Sequence, residues 1–341
     1  MILFNNYRYA FVYLLVFLPT LLLAGFPKVG TTAAPFLKIG VGARAVALGG
    51  NFTALANDVT ALYWNPAGIT SVPTLAFAAT HTTWFANITH DAVQLVVPIG
   101  NNSSFGIDFI YLSSGDIEQT TIEEQEGNGI FYNATDLALG LAYAQKLTDR
   151  FSVGVKAKFI RQTIYNEEAT SIAFDFGTMY QTGFYGLRIG MNMANFGGSM
   201  TMTGDDLLIL NEDPISGEPV ETNLKTESWP LPIIFRLGLA MDLIGVGQKS
   251  LMQNEYHRIT ISLDGVHPND NYEIFGGGVE YMWNDFFALR LGYQYTQEVQ
   301  NFSFGGGLQF KLSGIDFTID YAYASFGDLD AVQRFSAGLS L

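Results

Sequence analysis

Few residues of this sequence have the chemistry of catalysis. It contains four histidines, His81, His90, His257 and His267, and no cysteine. The histidines are scattered, and none lies in a motif where a serine nucleophile, a base and an orienting group act together. The lack of cysteine excludes disulfides, thiolate zinc sites and thiol nucleophiles. We therefore predict that the protein is not an enzyme and has no catalytic residue, metal site or cofactor.

Acidic residues are more informative, because 32 Asp and Glu face only 17 Lys and Arg, a net charge of −15. Nucleic acid is not an expected partner, since phosphate binding needs clustered basic residues. Most of the acids lie in segments that are predicted below to be the outer loops of the fold. They are Asp116, Glu118, Glu123, Glu124, Glu126, Glu167, Glu168, Asp205, Asp206, Glu212, Asp213, Glu218, Glu221, Glu227, Asp270, Glu298, Asp328 and Asp330.

The function of this acidic rim has three open explanations. It serves solubility and the repulsion of neighbours, or it bridges to anionic lipopolysaccharide through divalent cations, or it docks a partner. No loop has the spacing of a calcium-binding loop.

The elements that carry these residues follow from composition and pattern. Hydrophobic residues make up 48% of the chain and charged residues 14%, against about 25% charged residues in soluble domains. Beyond the N-terminus no apolar run approaches the ~20 residues that a membrane helix needs. Residues 1–25 resemble a secretory signal peptide, with Arg8 before an apolar stretch that ends near Ala24. A single membrane anchor is the alternative, but the stretch is short and contains Pro19.

From residue 72 onward, apolar residues alternate with polar or small ones. Ile315, Phe317 and Ile319 share one face of a segment, with Asp316 and Thr318 on the other, as expected of a strand with one apolar face. Fourteen segments read as strands: 74–84, 90–98, 103–112, 134–146, 151–163, 169–181, 184–195, 231–243, 256–265, 272–282, 286–295, 301–311, 314–325 and 332–341.

A soluble antiparallel sandwich also alternates, but three observations favour a membrane barrel. The apolar faces are rich in aromatic residues, the opposite faces are small or polar, and short turns alternate with longer loops. We predict an all-β fold, a 14-stranded antiparallel transmembrane β-barrel over residues 72–341, with both termini periplasmic. Trp84, Trp229 and Trp283 fall at predicted strand ends and are predicted to belong to the aromatic girdle at the membrane interface.

The N-terminal segment 26–71 follows a different pattern, because small residues dominate residues 36–70 and no alternation holds. Asn51 or Thr53 is a candidate cap for a short helix that continues to about Tyr63. Fourteen strands enclose a lumen too wide for wall side chains to fill. We therefore predict that this segment is a plug inside the barrel.

The same segment carries a specific set of residues in a fixed order. They are Gly42, Ala43, Arg44, Gly49, Gly50, Asn57, Asp58, Val59, Thr60, Ala61, Asn65, Pro66, Ala67 and Gly68. This set resembles the N-terminal signature of the PorV/PorQ family, which belongs to the FadL-like fourteen-stranded outer-membrane barrels.

The resemblance implies an outer-membrane protein of type IX secretion. The expected partners are the outer-membrane lipid and lipopolysaccharide, the type IX translocon, the signal domains of secreted cargo, and surface attachment proteins. FadL relatives instead transport hydrophobic small molecules through a plugged lumen, and this remains the alternative function.

The predicted lumen face carries residues of both charges. This modestly disfavours a continuous apolar channel and therefore the transport of hydrophobic small molecules. The face includes Lys156, Lys158, Asp175, Arg188, Arg236, Asp242, Arg258, Asp264, Arg290, Lys311, Asp316 and Asp320. We expect ion pairs there to brace the plug, with Arg44 of the signature reaching one of these carboxylates.

Overall fold

Fourteen antiparallel strands close into a barrel in the computed structural model, which describes residues 29–212, 218–246, 250–295, 301–329 and 331–341. The predicted signal peptide lies outside the described residues. The strands are β1 Ala76–Thr83, β2 Thr89–Ile99, β3 Ser103–Ser113, β4 Ala134–Thr148, β5 Phe151–Ile164, β6 Glu167–Gln181, β7 Arg188–Gly197, β8 Ile234–Gly245, β9 His257–Pro268, β10 Ile274–Trp283, β11 Phe287–Tyr295, β12 Phe302–Leu312, β13 Ile315–Ser325 and β14 Ala331–Ser340. The prediction of a 14-stranded barrel is confirmed, and each predicted segment overlaps one strand.

Each strand pairs with its neighbours in sequence, and the first strand pairs with the last. Thr80 of β1 lies opposite Ala92 of β2 and Ser336 of β14, and the Thr80 and Ser336 hydroxyls are 2.9 Å apart. The barrel therefore has no open edge strand, which is the arrangement that satisfies every backbone group of a sheet inside a lipid bilayer.

The two faces of the barrel wall differ as the alternation predicts. On β3, Phe105, Ile107 and Phe109 point outward and are exposed, whereas Gly106 and Asp108 point into the lumen and are buried. Similar outward rows run along the other strands, with Phe302, Phe304 and Tyr293 all exposed. A continuous apolar outer surface is what lipid contact requires. Among the described residues, no helix is long and apolar enough to cross a membrane.

The two ends of the barrel are unlike. One end, here the turn end, carries the short connections 100–102, 149–150, 182–187, 284–286 and 313–314 and one longer connection, 246–256. At one of these turns Ser313 and Gly314 both have positive φ, 53° and 89°, as a two-residue hairpin of type I′ requires. The opposite end, here the loop end, carries the long connections 114–133 and 198–233.

The loops of the loop end contain small sheets of their own. Ile117–Glu118 pairs with Phe131–Tyr132, Met200–Thr201 with Ser228–Trp229, and Leu208–Glu212 with Pro219–Asn223. Thr203–Gly204 extends β6, and at the turn end Met252–Gln253 pairs with β8. Single 3₁₀ turns occur at Phe85–Asn87, Asp205–Leu207 and Gly327–Leu329.

Residues 31–71, here the plug, lie inside the barrel and form most of its apolar core. Phe52, Leu48 and Leu62 are completely buried there. The plug has four short helical pieces: the 3₁₀ helix Pro35–Lys38, α1 Ala43–Ala47, α2 Ala61–Trp64 and the 3₁₀ helix Pro66–Ser71.

The predicted helix from Asn51 or Thr53 to Tyr63 is wrong in its extent, because only its last residues are helical. Asn51 and Thr53 use their polar groups against the wall instead of capping a helix. The Asn51 amide donates to the Leu48 carbonyl at 2.7 Å and to the Tyr293 carbonyl of β11 at 3.4 Å, and the Thr53 backbone N–H donates to Asp264 of β9. Contacts with the barrel thus replace the local capping bonds on which the prediction relied.

Candidate functional site

The plug meets the barrel wall through backbone as well as side chains, and glycines make this possible. Gly49 and Gly50 follow one another with φ of 68° and 71°, which side chains of other residues rarely tolerate. Opposite them, a Cβ on Gly292 of β11 would lie 2.0 Å from the Gly49 nitrogen. The glycine backbones of the plug and of β11 therefore lie directly against each other, with no side chain between them.

Asn65 fixes the next turn of the plug. It is completely buried, its amide donates to the carbonyls of Thr53 and Thr178 at 2.9 and 3.0 Å, and its Oδ1 accepts from the Ala67 N–H at 3.2 Å. The side chain thus caps the 3₁₀ helix that begins at Pro66 and also ties that helix to β6. A Cβ at Gly177 of β6 would lie 2.2 Å from Asn65 Oδ1.

Arg44 is the centre of the ionic contacts between plug and wall. Its Nε and Nη2 donate to both oxygens of Glu280 on β10, each at 2.8 Å. Its Nη1 donates to Asn57 Oδ1 at 2.8 Å and to Asp58 Oδ2 at 2.9 Å. A planar guanidinium is suited to such a forked contact with a carboxylate. Burial alone would lower the pKa of Arg44, but Glu280 and Asp58 outweigh it and raise the pKa, so the charge is retained.

The network continues along the wall and back into the plug. Glu280 also accepts from Arg290 Nε at 2.7 Å, and Arg290 Nη1 donates to Asp320 of β13 at 2.5 Å. Asp58 Oδ1 accepts from the backbone N–H and the hydroxyl of Thr60 at 2.9 and 2.5 Å. The structure therefore brings Arg44, Asn57 and Asp58 of the signature together at one point of the wall.

A second network holds the other side of the plug. Lys156 of β5 donates to the Leu62 carbonyl at 2.8 Å and to Asp108 Oδ2 at 3.0 Å. Asp175 of β6 lies 3.6 Å from Lys156 and 2.8 Å from Lys158. Leu62 of α2 is thereby bound to β5, and Lys156 is in turn paired with carboxylates of β3 and β6.

The loop end of the plug is held by Asp270. The Lys38 ammonium and the Thr32 hydroxyl both lie 2.7 Å from Asp270 Oδ2. The sequence places Asp270 on the acidic outer rim, but the structure buries it at 1% exposure. This acid therefore serves the plug and not the outer surface.

Arg44 reaches a lumen carboxylate as expected, but the sequence analysis misses its partner Glu280. Glu280 and Asp108 follow the same inward alternation as their strand neighbours Gly278 and Gly106. The alternation of each strand was therefore enough to place both residues on the lumen face. Their pairing with Arg44 and Lys156 depends on the register between strands and on the path of the plug. Alternation in sequence carries no information on either.

The three predicted girdle tryptophans lie in different surroundings. Trp283 is half exposed at the turn end of β10, and Trp229 is 44% exposed in a small sheet of the loop end. Trp84 packs against Phe85 and Phe326, and its ring lies 5.5 Å from the Arg334 guanidinium. Trp84 therefore lines a cavity inside the loop end of the barrel, whereas lipid contact by Trp229 and Trp283 stays a prediction.

Within the described residues, two of the cavities between plug and wall bear on function. One of about 200 Å³ lies toward the turn end, beside Arg44, Asp58 and β14. The other, of about 540 Å³, lies at the loop end between Trp64 of the plug and Trp84 of the wall. No group of three or more His, Asp or Glu side chains within the described ranges is placed to hold a metal ion.

The comparisons with known proteins agree with this geometry. The family model described as type IX secretion system protein PorV matches residues 26–205, more than half of the chain and all of the described plug. No curated protein sequence matches the chain.

The solved structures that are similar to the chain include three FadL-like barrels. The CymD monoaromatic hydrocarbon channel has 12% sequence identity and a TM-score of 0.56, and the alignment covers 88% of this chain and 96% of CymD. The toluene transporter TbuX of Ralstonia pickettii has 14% identity and a TM-score of 0.54, with 88% of this chain and 97% of TbuX covered. A FadL homologue of Pseudomonas aeruginosa has 12% identity and a TM-score of 0.54, with 93% of this chain and 99% of the homologue covered. At such identities the likeness shows the fold alone.

Proposed function

The chain belongs to the PorV family of type IX secretion system proteins, and from this we propose that it binds the signal domains of secreted cargo beside the type IX translocon and delivers the cargo for surface attachment. It is an outer-membrane barrel of that secretion system. The family match is the observation that carries the proposal. The identity of the cargo and of the attachment proteins is the part that experiments must supply.

The proposed orientation places the loop end outside the cell and both termini in the periplasm. Outer-membrane barrels have short periplasmic turns and longer outer loops, and the two ends of this barrel differ in that way. We further propose three parts of the chain: a signal peptide over residues 1–25, an N-terminal segment over 26–71 that contains the plug, and the barrel over 72–341. The outward apolar side chains would contact the membrane lipid, and the acidic loops would lie beside lipopolysaccharide.

The long loop 198–233 is the proposed contact for a cargo signal domain. Its hairpin Leu208–Glu212 and Pro219–Asn223 pairs only with itself in the described structure, and Leu210 and Val220 are 72% and 43% exposed. Leu208 and Leu224 of the same loop are each 50% exposed, and several exposed apolar side chains on one loop away from the lipid-facing wall are typical of an interaction surface. The signature residues support this role from within, because the plug that they hold gives the loops a rigid base.

Deletion of the gene and complementation with variants tests the proposal. Loss of surface attachment of proteins that bear the type IX signal domain is expected, with recovery by the full-length chain. A variant with residues 205–227 replaced by a short Gly-Ser linker is expected not to restore attachment. A variant with residues 116–131 replaced in the same way is the matched control and is expected to restore it. Normal attachment in the deletion strain would contradict the proposal.

Transport of hydrophobic small molecules is the second candidate, and the loop-end cavity is the observation that favours it. Trp64, Val46 and Ile39 of the plug line this cavity, and the plug separates it from the turn-end cavity. If the deletion strain secretes normally and takes up an apolar compound poorly, transport replaces the cargo-binding role.

A further inference from the structure

The loop-end cavity combines aromatic rings with buried positive charge. Trp64 of the plug and Trp84, Phe85 and Phe326 of the wall line it. The last three rings pack edge to face, with centroids 5.0 to 5.4 Å apart. At about 540 Å³ the cavity has the size of a small-molecule site, which is usually apolar with a few placed polar groups.

Arg334 of β14 is the placed polar group. It is 3% exposed, it lines the cavity, and its Nε and Nη1 have no hydrogen-bond partner. Its guanidinium stacks over the Trp84 ring at 5.5 Å. Stacking uses the face of a guanidinium and leaves the N–H groups at its edge free to donate.

A second arginine lines the same cavity. Arg236 of β8 stacks on Trp64 and Tyr63 at 5.4 and 5.6 Å, and its Nη1 donates to Asn192 at 3.1 Å. Within the described part of the chain, neither Arg236 nor Arg334 forms an ion pair, and no acidic residue lines the cavity.

The other buried cations of the lumen behave differently. Arg44 and Arg290 share Glu280, and Lys156 and Lys158 share Asp175. Because a buried charge without a counterion is costly, the exception at the loop end calls for an anion from outside the chain.

The wall residues beside Arg334 are also polar groups without a hydrogen-bond partner. Thr82 lies opposite Arg334 across β1 and β14 and opposite His90 across β1 and β2. The Thr82 hydroxyl and both ring nitrogens of His90 are buried without a hydrogen-bond partner. This row of three side chains thus has spare hydrogen-bonding capacity beside the cavity.

We propose that the loop-end cavity binds a small aromatic carboxylate. The carboxylate accepts hydrogen bonds from the free edge of Arg334, and the ring packs among Trp84, Phe85 and Phe326. The similar channels are named for uncharged compounds, monoaromatic hydrocarbons and toluene. These compounds lack the carboxylate that would pair with Arg334. The inference does not rest on the cargo-binding role, because it concerns the lumen and not the loops.

The test measures binding of 2-naphthoate to the purified protein in nanodiscs of zwitterionic lipid, by isothermal titration calorimetry. 2-Naphthylmethanol has the same rings without the charge and is the matched ligand. Arg334→Gln is expected to weaken 2-naphthoate by about tenfold or more, the usual effect of losing a charge-assisted hydrogen bond, and to leave 2-naphthylmethanol nearly unchanged. Trp84→Leu is expected to weaken both ligands by a similar factor.

Arg161→Gln is the matched protein control. Arg161 is on the outward face of β5, where it pairs with Glu168. The Arg161→Gln protein is therefore expected to bind both ligands as the unchanged protein does. Folding of each variant is checked by heat-dependent mobility on gels. If Arg334→Gln does not fold, Trp84→Leu still tests the site, because it leaves Arg334 unchanged. The proposal is overturned if 2-naphthoate does not bind, if Arg334→Gln weakens both ligands equally, or if decanoate binds as tightly as 2-naphthoate.

Discussion

The contacts around Arg44 and the cavity around Arg334 treat buried positive charge in opposite ways. Every polar atom of the Arg44 guanidinium contacts an acceptor, on Glu280, Asn57 or Asp58. Arg334 has a ring beneath it and unpartnered nitrogens. Polar groups that are satisfied within the chain stabilise one arrangement of plug and wall, whereas unsatisfied groups remain available to a ligand. The comparison separates residues that hold the plug from residues that bind.

Replacing Arg44 is the strongest test of this difference. Arg44→Ala leaves Glu280 with only Arg290 and removes the ion pair of Asp58 within the plug, and breaking a buried pair from one side costs about 3 kcal/mol or more. The free energy of unfolding in lipid vesicles, from a denaturant titration, is expected to fall by that amount. Arg161→Ala, which removes an exposed ion pair, is expected to cost about 0.5 kcal/mol or less. Equal losses in both variants would refute a holding role for Arg44.

A methyl group at Gly292 tests the close approach of plug and wall. Gly292→Ala places a Cβ 2.0 Å from the Gly49 nitrogen, and overpacking of this kind costs about 1 to 3 kcal/mol. Gly306→Ala is the control, because the nearest atom to its Cβ is the Ala288 carbonyl oxygen at 3.5 Å. The temperature at which the folded barrel converts to the slow-migrating form on gels is expected to drop for Gly292→Ala alone. An unchanged temperature there would mean that the plug does not rest on β11.

The side chain of Asn65 offers a smaller change at the other contact of the plug. Asn65→Ala removes one accepted and two donated hydrogen bonds. It also opens a small buried space, at an expected cost of about 1 to 2 kcal/mol. Asn65→Asp keeps the cap to Ala67 but cannot donate to Thr53 or Thr178. Denaturant unfolding is expected to show a loss in both variants, and a stable Asn65→Asp protein would limit the role of Asn65 to capping.

Arg334→Gln is expected to have the smallest effect on stability. Removing a buried charge that has no counterion is often neutral or stabilising, so the free energy of unfolding should change by less than about 1 kcal/mol. The same denaturant titration that detects the Arg44→Ala loss is the measurement. A loss as large as that of Arg44→Ala would show that Arg334 also holds the structure and would remove the distinction between the two regions.

The sequence predicted the barrel well because a strand in lipid must alternate. Period two located all fourteen strands to within a few residues, and it placed Lys156, Asp175 and Arg290 on the lumen face. The short turns, such as the one at Ser313 and Gly314, also fall where they were expected.

The plug was predicted less well because its local pattern does not decide its path. The chain from Asn51 to Thr60 is not helical, since its polar groups bond to the wall at Tyr293 and Asp264 and to Arg44. Asp270 read as a surface acid because its partner Lys38 is 232 positions away in sequence. Arg334 escaped notice because nothing in an alternating strand shows which inward charge lacks a partner.

The long sequence separation of the plug contacts has a consequence for the order of assembly. Arg44 bonds to Glu280, 236 positions later, and the Ala43 N–H bonds to Ser336, 293 positions later. The plug is synthesised before the strands, yet some of its wall partners, such as Ser336 of β14, are on the last strands to be made. It therefore cannot reach its final bonds until the barrel is almost closed. Contacts this distant in sequence are slow to form, and locking of the plug is expected to be the last step of folding, at the moment when β14 joins β1.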